Sequence, residues 1–285
     1  MMRKKRKSPS RSGPVLTVNK RDPTRTTTLR RGYYAEINRR VRAARKDFGR
    51  VTVKDFQKDG RFWRPTLYDS IMAYTEALDK TIERHVVKNS NWQDRFIRQA
   101  YLRGIRNADS QLRVNTDDPD AAIERSNHIF TLLPIAERAK SDLHNVRYTE
   151  LWTIINKTRA ALEPRLAVNQ PLLDPDELTD EEWDELDELI QVIQTSYWAN
   201  FWNRAKKIAA FVIVAAVAEA VLSRLAEYGI TRFLRQSEYI WTTAGDLQVC
   251  ERCQDGESNN PYTLSQARGL IPRHPLCRCT WVIAR

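Results

Sequence analysis

The sequence predicts a mainly α-helical protein with a small α+β module at its C-terminal end. Glycine is scarce, with 9 in 285 residues, and the middle of the chain is rich in Ala, Leu, Arg, Glu and Ile, which favour helix. Apolar residues recur there at three- and four-residue spacing. Near the C-terminus, two runs rich in aromatic and β-branched residues flank all four cysteines. We therefore expect a helical body, a central apolar helix and a short antiparallel sheet clipped by a Cys/His cluster.

The first 65 residues are predicted to be a basic arm that is extended or partly disordered. Residues 1–50 hold 17 Lys or Arg and three acids, a net charge of +14, whereas the whole chain carries +11. The opening segment has no apolar periodicity with which to bury a core. Two interpretations remain open, a solvated tail and a segment that neutralises DNA phosphates. The candidate nucleic-acid-binding residues are Arg3, Lys4, Lys5, Arg6, Lys7 and Arg11.

A body of helices is predicted over residues 66–202. Apolar periodicity predicts helices over about 66–87, 91–113, 118–139 and 140–163. Asn89 or Ser90 is a candidate cap for the second helix, and Asp117 for the third. Pro134 lies inside the third helix, where its ring should kink or break the chain.

An acidic helix is predicted after a proline-containing link at 164–178, and it extends to about residue 202. Thr179 offers a capping hydroxyl, and the three acids that follow it suit the positive end of a helix dipole. Trp183, Leu186 and Ile190 give this helix one apolar face. The carboxylates lack the central glycine of a calcium-binding EF-hand loop, so we interpret the acidic face as solvated.

The C-terminal unit is predicted to span residues 203–285. It starts with a helix over about 203–228 whose residues 208–218 are uninterruptedly apolar. Because a membrane span needs about 20 such residues, we expect the buried central helix of the fold and no membrane contact. Residues 232–243 should then form a strand that pairs with residues 279–283, leaving a long loop between Cys253 and Cys277.

Five candidate metal ligands lie in the last 36 residues: Cys250, Cys253, His274, Cys277 and Cys279. Tetrahedral zinc takes four sulfur or imidazole ligands, and two cysteines with two residues between them can hold one edge of the tetrahedron. One of the five should therefore be a bystander. Disulfides and free thiols are the alternatives; disulfides would normally accompany a signal peptide, and no apolar run follows the basic N-terminus.

A catalytic role for this cluster is not expected. The His-x-Glu element of the zinc deaminases and the His-Glu-x-x-His motif of the zincins are absent from the sequence. A surplus of ligands also argues against the open coordination position of a catalytic zinc. The other histidines, His85, His128 and His144, have no partner at ligand spacing. We therefore expect a structural zinc and no enzyme activity.

The cysteine segment resembles the C-terminal module of the Mu F-like phage head morphogenesis proteins. The resemblance rests on Trp241, the threonines after it, Asp246, Cys250-x-x-Cys253, Gly256 and the motif His-Pro-x-Cys-Arg-Cys at 274–279. It covers about 45 residues strongly. Residues 204–229 are more weakly similar to the preceding helix, because Ala-Phe-Val-Ile-Val at 210–214 replaces the Arg-Thr-Glu run usual in the family.

The resemblance implies a minor head protein of a tailed phage. Such a protein would contact the portal protein, the major capsid protein or both, would act in head morphogenesis and in DNA packaging or ejection, and would be found in the virion after assembly in the host cytoplasm. The basic arm would then meet packaged DNA or an acidic partner surface. The alternative is a zinc-containing DNA-binding or nuclease-like protein that uses the segment from His274 to Cys279 near phosphate.

Overall fold

A computed structural model describes residues 26–51, 55, 67–88, 90–115, 118, 129–166, 179–232, 238–245, 249–275 and 277–283. These residues form helices α1 (Thr27–Phe48), α2 (Leu67–Ile82), α3 (Asp94–Leu112), α4 (Ile129–Leu166) and α5 (Asp180–Arg232). The C-terminal part contains strand β1 (Tyr239–Thr242), helices α6 (Glu251–Ser258) and α7 (Leu264–Ala267), and strand β2 (Thr280–Ile283). The predicted fold class, mainly helical with a small antiparallel sheet beside a Cys/His cluster, is confirmed.

Helix α1 corrects the predicted extended arm. Its buried residues recur at three- and four-residue spacing and so form one apolar stripe, the condition for an amphipathic helix. Six of the other positions are arginine, which favours helix. The six basic residues at 3–11 that were candidates for nucleic-acid binding lie outside the described part of the chain. The buried stripe consists of Tyr33, Ile37, Val41, Ala44 and Phe48.

Helix boundaries differ from the predicted ones in two places, within α4 and at the start of α3. Pro134 does not break α4, which continues through the predicted boundary at 139–140. The proline is only the sixth residue of the helix, so the hydrogen bond that it removes belongs to the first turns. Ser90 lies in a short 3₁₀ helix rather than at a cap, and α3 starts after Gln93, which makes no side-chain capping bond. The predicted caps Asn89 and Asp117 lie outside the described residues.

Helix α5 is the central element, as predicted. It starts at Asp180, directly after Thr179, and continues for 53 residues through the predicted boundary at 202. Helices α1, α3 and α4 pack against it. Within Ile190–Tyr228 an 18-residue window is apolar enough to cross a membrane by length and composition, with mean hydropathy 2.1, and 67% of that window is buried in the protein. This window is longer than the uninterrupted apolar run of eleven residues, which ends at Glu219.

Helices α3 and α5 touch along their backbones. A Cβ atom on Gly104 would overlap the Val217 carbonyl oxygen and would lie 2.5 Å from the Ala220 Cβ. The same helix pair is joined by an ion pair in which Arg224 Nε donates to Asp109 Oδ1 at 2.7 Å. Asp109 is 1% exposed, so a hydrogen-bonded cation compensates its burial. Together these contacts set the distance and the register between the two helices.

The C-terminal module packs on this helical body. Strands β1 and β2 pair antiparallel, with Trp241 opposite Trp281. Gln111, at the end of α3, donates from Nε2 to the Trp281 carbonyl at 3.1 Å. The predicted first strand, 232–243, was too long, because Arg232 still belongs to α5. The predicted loop between the cysteine pairs contains α6 and α7, and a capping box between Thr263 and Gln266 starts α7.

The close crossing of α3 and α5 predicts opposite effects for two glycine-to-alanine substitutions. Gly104→Ala should lower the free energy of unfolding by about 1–3 kcal/mol, because the new methyl group overlaps the α5 backbone. In the matched control Gly32→Ala, the new Cβ meets only Phe96 Cε1, at 3.5 Å, and the better helix former should stabilise by up to about 1 kcal/mol. Urea unfolding measures both. Equal stability of the Gly104 variant and the wild type would contradict the backbone contact.

Candidate metal centre

Two short stretches of backbone position the five candidate ligands. Cys250 is the N-cap of α6, and Cys253 lies in its first turn with its N–H donating to the Cys250 carbonyl at 2.9 Å. Residues three apart share one helix face, so both thiols point to the same side. His274 precedes a turn in which the Cys277 N–H donates to the His274 carbonyl at 3.0 Å. Cys279 then comes directly before β2.

Cys253 is the centre of the cluster. Its Sγ lies 3.3 Å from His274 Nε2 and 3.8 Å from Cys277 Sγ. Among the described residues, two groups have all their ligand atoms within 4.8 Å of one another: Cys250 with Cys253 and His274, and Cys253 with Cys277 and Cys279. The structure thus brings together all five predicted ligands, in two groups that share Cys253.

The distances fit a tetrahedral ion. Zinc–sulfur bonds of about 2.3 Å and zinc–nitrogen bonds of about 2.0–2.1 Å place neighbouring ligand atoms about 3.6–3.8 Å apart. The distances from Cys253 to His274 and to Cys277 are close to this range. A disulfide would need the two sulfurs about 2.05 Å apart, and all four cysteines are free thiols here. The geometry can therefore hold a metal ion, and it contains no disulfide.

The cluster concentrates negative charge at one sulfur. Cys277 accepts hydrogen bonds from the Cys279 thiol and from backbone groups of Cys279 and Arg273, and these bonds lower the pKa of Cys277 to about 5 in spite of its burial. Burial and the nearby Cys277 raise the pKa of Cys253 to about 12. The pKa of Cys279 is also raised, because its thiol donates to Cys277 and is buried. A second thiolate is costly here unless a bound cation neutralises it.

An aromatic cluster packs against α6, the helix that carries Cys253. The rings of Trp241 and Trp281 meet edge to face with centroids 5.6 Å apart, and Tyr262 packs on Trp281 at 5.4 Å. A Cβ atom on Gly256 would lie 2.8 Å from the Trp241 ring, so only glycine lets α6 lie this close to β1. The Tyr262 hydroxyl donates to the Gly256 carbonyl at 2.7 Å.

Two supporting residues were not predicted from the sequence. Asn260 acts as a substitute strand partner, because its side chain accepts from the Trp241 N–H at 2.6 Å and donates to the Trp241 carbonyl at 2.8 Å. Tyr262 forms an isolated β-bridge with Tyr239. Both lie where turn-forming residues surround Pro261, a pattern that indicates a loop. The aromatic residue directly after this turn is the one sequence feature that could have indicated a return of the chain to the sheet.

The remaining candidates lie elsewhere or outside the described residues. His85 Nε2 lies 2.9 Å from Asp47 Oδ2 in a partly exposed pair between α1 and the short π-helical segment Glu83–Val87 that follows α2. His144 is an exposed residue of α4. His128 and Asp246 fall outside the part of the chain that the structure describes.

Comparisons with known proteins identify no relative. No protein-family model matches the chain, and no curated protein or solved structure matches it either.

The ligand geometry predicts that the chain binds one metal ion through Cys253. Cys253→Ser should reduce bound zinc from about one ion per chain to almost none, because both ligand groups lose their common member. His274→Ala should weaken zinc binding at least about tenfold, since even indirect supports of metal ligands cost this much. The matched control His144→Ala should bind zinc as the wild type does. Elemental analysis measures bound zinc and thiol titration measures free cysteines in the wild type and the three variants. Two disulfides and no free thiol per chain would contradict the metal site.

Acid should release the metal. Thiolate and neutral imidazole are the forms that bind, so protons compete with the ion and zinc affinity should fall steadily as the pH is lowered. The competition grows as the pH falls through about 5, where Cys277 also becomes protonated in the metal-free cluster. A zinc-release titration with a chromophoric chelator follows this. Zinc retention that is independent of pH between 7 and about 5 would contradict thiolate ligation.

Proposed function

We propose that this chain is a minor structural protein of a tailed-phage head, associated with the portal and acting in head morphogenesis. One observation carries the proposal: the described residues on which the resemblance to the Mu F-like proteins rests form one packed unit. Trp241 packs on Gly256, and the cysteines and His274 surround Cys253. The pattern therefore corresponds to a single small structure, which favours a genuine module over a chance match of scattered residues.

The metal in this proposal is zinc with a structural role. Four sulfur or nitrogen donors are the set that zinc prefers. Cys253, Cys277 and Cys279 are each at most 2% exposed, so a substrate has little access to an ion bound among them. The ion would join α6 to the segment that enters β2, and structural zinc contributes about 10–16 kcal/mol of apparent binding free energy in small domains.

The shape of α5 supports a structural role. A helix of 53 residues is about 80 Å long at 1.5 Å per residue. It carries the packing of the helical body and also contacts β2 and α7 of the module. One continuous element thus couples the two parts, which suits a protein that bridges neighbouring components of an assembly. Its burial in the protein supports a core helix, and no membrane is part of the proposal.

Association with the head is tested on particles and on purified proteins. Heads purified from the phage or prophage that encodes the chain should contain it at low copy number relative to the coat protein, as measured by quantitative mass spectrometry. Co-expression with the portal protein and, separately, with the major capsid protein of the same genome should give a complex with the portal protein on size-exclusion chromatography.

The Cys253→Ser variant separates the module from the body in this experiment. A variant that has lost zinc but still binds the portal protein would place the contact on the helices. A variant that has lost both would place the contact on the module. Absence of the chain from purified heads, together with no binding to either protein, would refute the proposed function and leave the zinc site untouched.

The nuclease-like alternative makes a separate prediction. It requires metal-dependent cleavage of DNA that disappears in Cys253→Ser and His274→Ala. We expect no cleavage with zinc, magnesium or manganese, because the three buried cysteines leave little space for a substrate phosphate at the ion. Cleavage that depends on these residues would replace the structural proposal.

A further inference from the structure

The outward face of α1 carries basic residues and no acid. We define this face by residues 31, 35, 38, 42, 45 and 46, which lie within about 100° around the helix axis at 3.6 residues per turn. Four of the six are basic, namely Arg31, Arg42, Arg45 and Lys46, and all four are exposed. The face extends for about 22 Å along the helix at 1.5 Å per residue. It lies opposite the buried stripe that packs against the core.

The two acids of α1 are engaged with other cations. Glu36 binds Arg39 at 2.6 Å and Arg40 at 2.9 Å, and lies 3.5 Å from Arg95 of α3. The hydrogen bonds from Arg39 in particular lower the pKa of Glu36 to about 2.

Asp47 pairs in the same way with Arg84 and His85. Neither carboxylate therefore reaches the outward face. The four cations of that face form no ion pair with any residue in the described part of the chain.

Further cations lie on α3, whose start packs beside α1. Phe96 stacks on Tyr33 with ring centroids 5.0 Å apart, which places the start of α3 beside α1. Arg95 reaches from there to Glu36, and Arg106 is exposed further along α3.

We infer that the outward face of α1 is a binding surface for the phosphate backbone of duplex DNA. Duplex DNA carries one charge per about 1.7 Å of axis, so a face of about 22 Å can lie along roughly 13 charges. Arginine forks match phosphate oxygens in geometry. The face has small residues, Ala35 and Asn38, between its cations, which lets the helix backbone approach the duplex. Such a contact would not depend on the base sequence of the DNA.

The composition of the face favours DNA over a protein partner. Protein interfaces are centred on buried aromatic and apolar side chains, and the only apolar residue of the face is Ala35. The strongest protein competitor is a second copy of this chain, whose exposed acids Asp180, Glu181, Asp184 and Glu188 line the start of α5. The inference is independent of the proposed role in the phage head.

The test compares two variants of the full-length chain that each lose four exposed cations. The first is Arg31→Gln/Arg42→Gln/Arg45→Gln/Lys46→Gln. The matched control removes the same charge from other parts of the surface, as Lys88→Gln/Lys157→Gln/Arg252→Gln/Arg268→Gln. Binding to a fluorescently labelled duplex of about 25 base pairs, longer than the face, is measured by anisotropy over a series of salt concentrations, and circular dichroism checks that both variants are folded.

The α1 variant should bind DNA at least about tenfold more weakly at low salt, and the slope of log affinity against log salt should be shallower by about 3.6, or about 0.9 for each lost contact. The control should keep the wild-type slope within about one. An α1 variant that binds like the control would overturn the inference and assign DNA binding to another part of the chain. A third variant, with glutamine at the six basic residues of 3–11, would then show whether the N-terminal segment carries it.

The second-copy alternative has its own readout. Sedimentation velocity at low salt should show no self-association that the α1 substitutions abolish. Self-association that is lost both in the α1 variant and in Asp180→Asn/Glu181→Gln/Asp184→Asn/Glu188→Gln, with DNA affinity unchanged in the α1 variant, would overturn the inference in favour of a contact between copies.

Discussion

The contact between α3 and α5 at Gly104 is the constraint on which the rest of the structure depends. A backbone carbonyl of α5 lies where any larger residue would put its Cβ atom, so the two helices can lie this close only with glycine at position 104. Once α3 is held there, both of its ends have fixed neighbours. Phe96 near its start stacks on Tyr33 of α1, and Gln111 near its end binds the Trp281 carbonyl in β2.

The C-terminal module needs supports of its own because its sheet is small. Two strands of four residues each are marginal in water without further packing. Three supports compensate: the contact of Gly256 with Trp241, the asparagine that completes the backbone bonds of Trp241, and the ligand cluster around Cys253. The first two join residues of α6 and its exit to β1. Of these three supports, the cluster is the one that joins α6 to the approach to β2, which is why a metal there would act as a structural clamp.

The sequence predicts the centre of this fold better than its edges. The apolar run at 208–218 identifies the buried helix, because a helix that is apolar on all sides must be covered by its neighbours. In α1, the basic composition outweighed an apolar periodicity that is visible from Tyr33 to Phe48. Gly256 looks like a turn residue in the sequence, yet it lies within a helix where Trp241 leaves no space for a side chain. Contacts of this kind depend on tertiary packing, so local patterns cannot show them.

The ligand cluster also has features that the sequence predicts and features that it does not. Residue type and spacing were enough to predict the five candidate ligands that the structure brings together. That Cys253 belongs to both groups was not predictable, because it follows from the turn that brings His274 and Cys277 back over the first turn of α6. The same geometry makes the thiols unequal: Cys277 gathers hydrogen bonds from its neighbours, while Cys253 and Cys279 remain buried beside its charge.

Helix α3 also determines how far the two candidate functions can influence each other. Its first turn reaches α1 through Arg95, and its last turn reaches the module through one side-chain hydrogen bond from Gln111. A single neutral hydrogen bond contributes about 0.5–1.5 kcal/mol, whereas the α3–α5 interface buries many side chains and an ion pair. Changes in the metal cluster therefore have only a weak route to the basic face of α1 through α3, whereas α5, which packs against α1 and also against β2 and α7 of the module, provides a second connection.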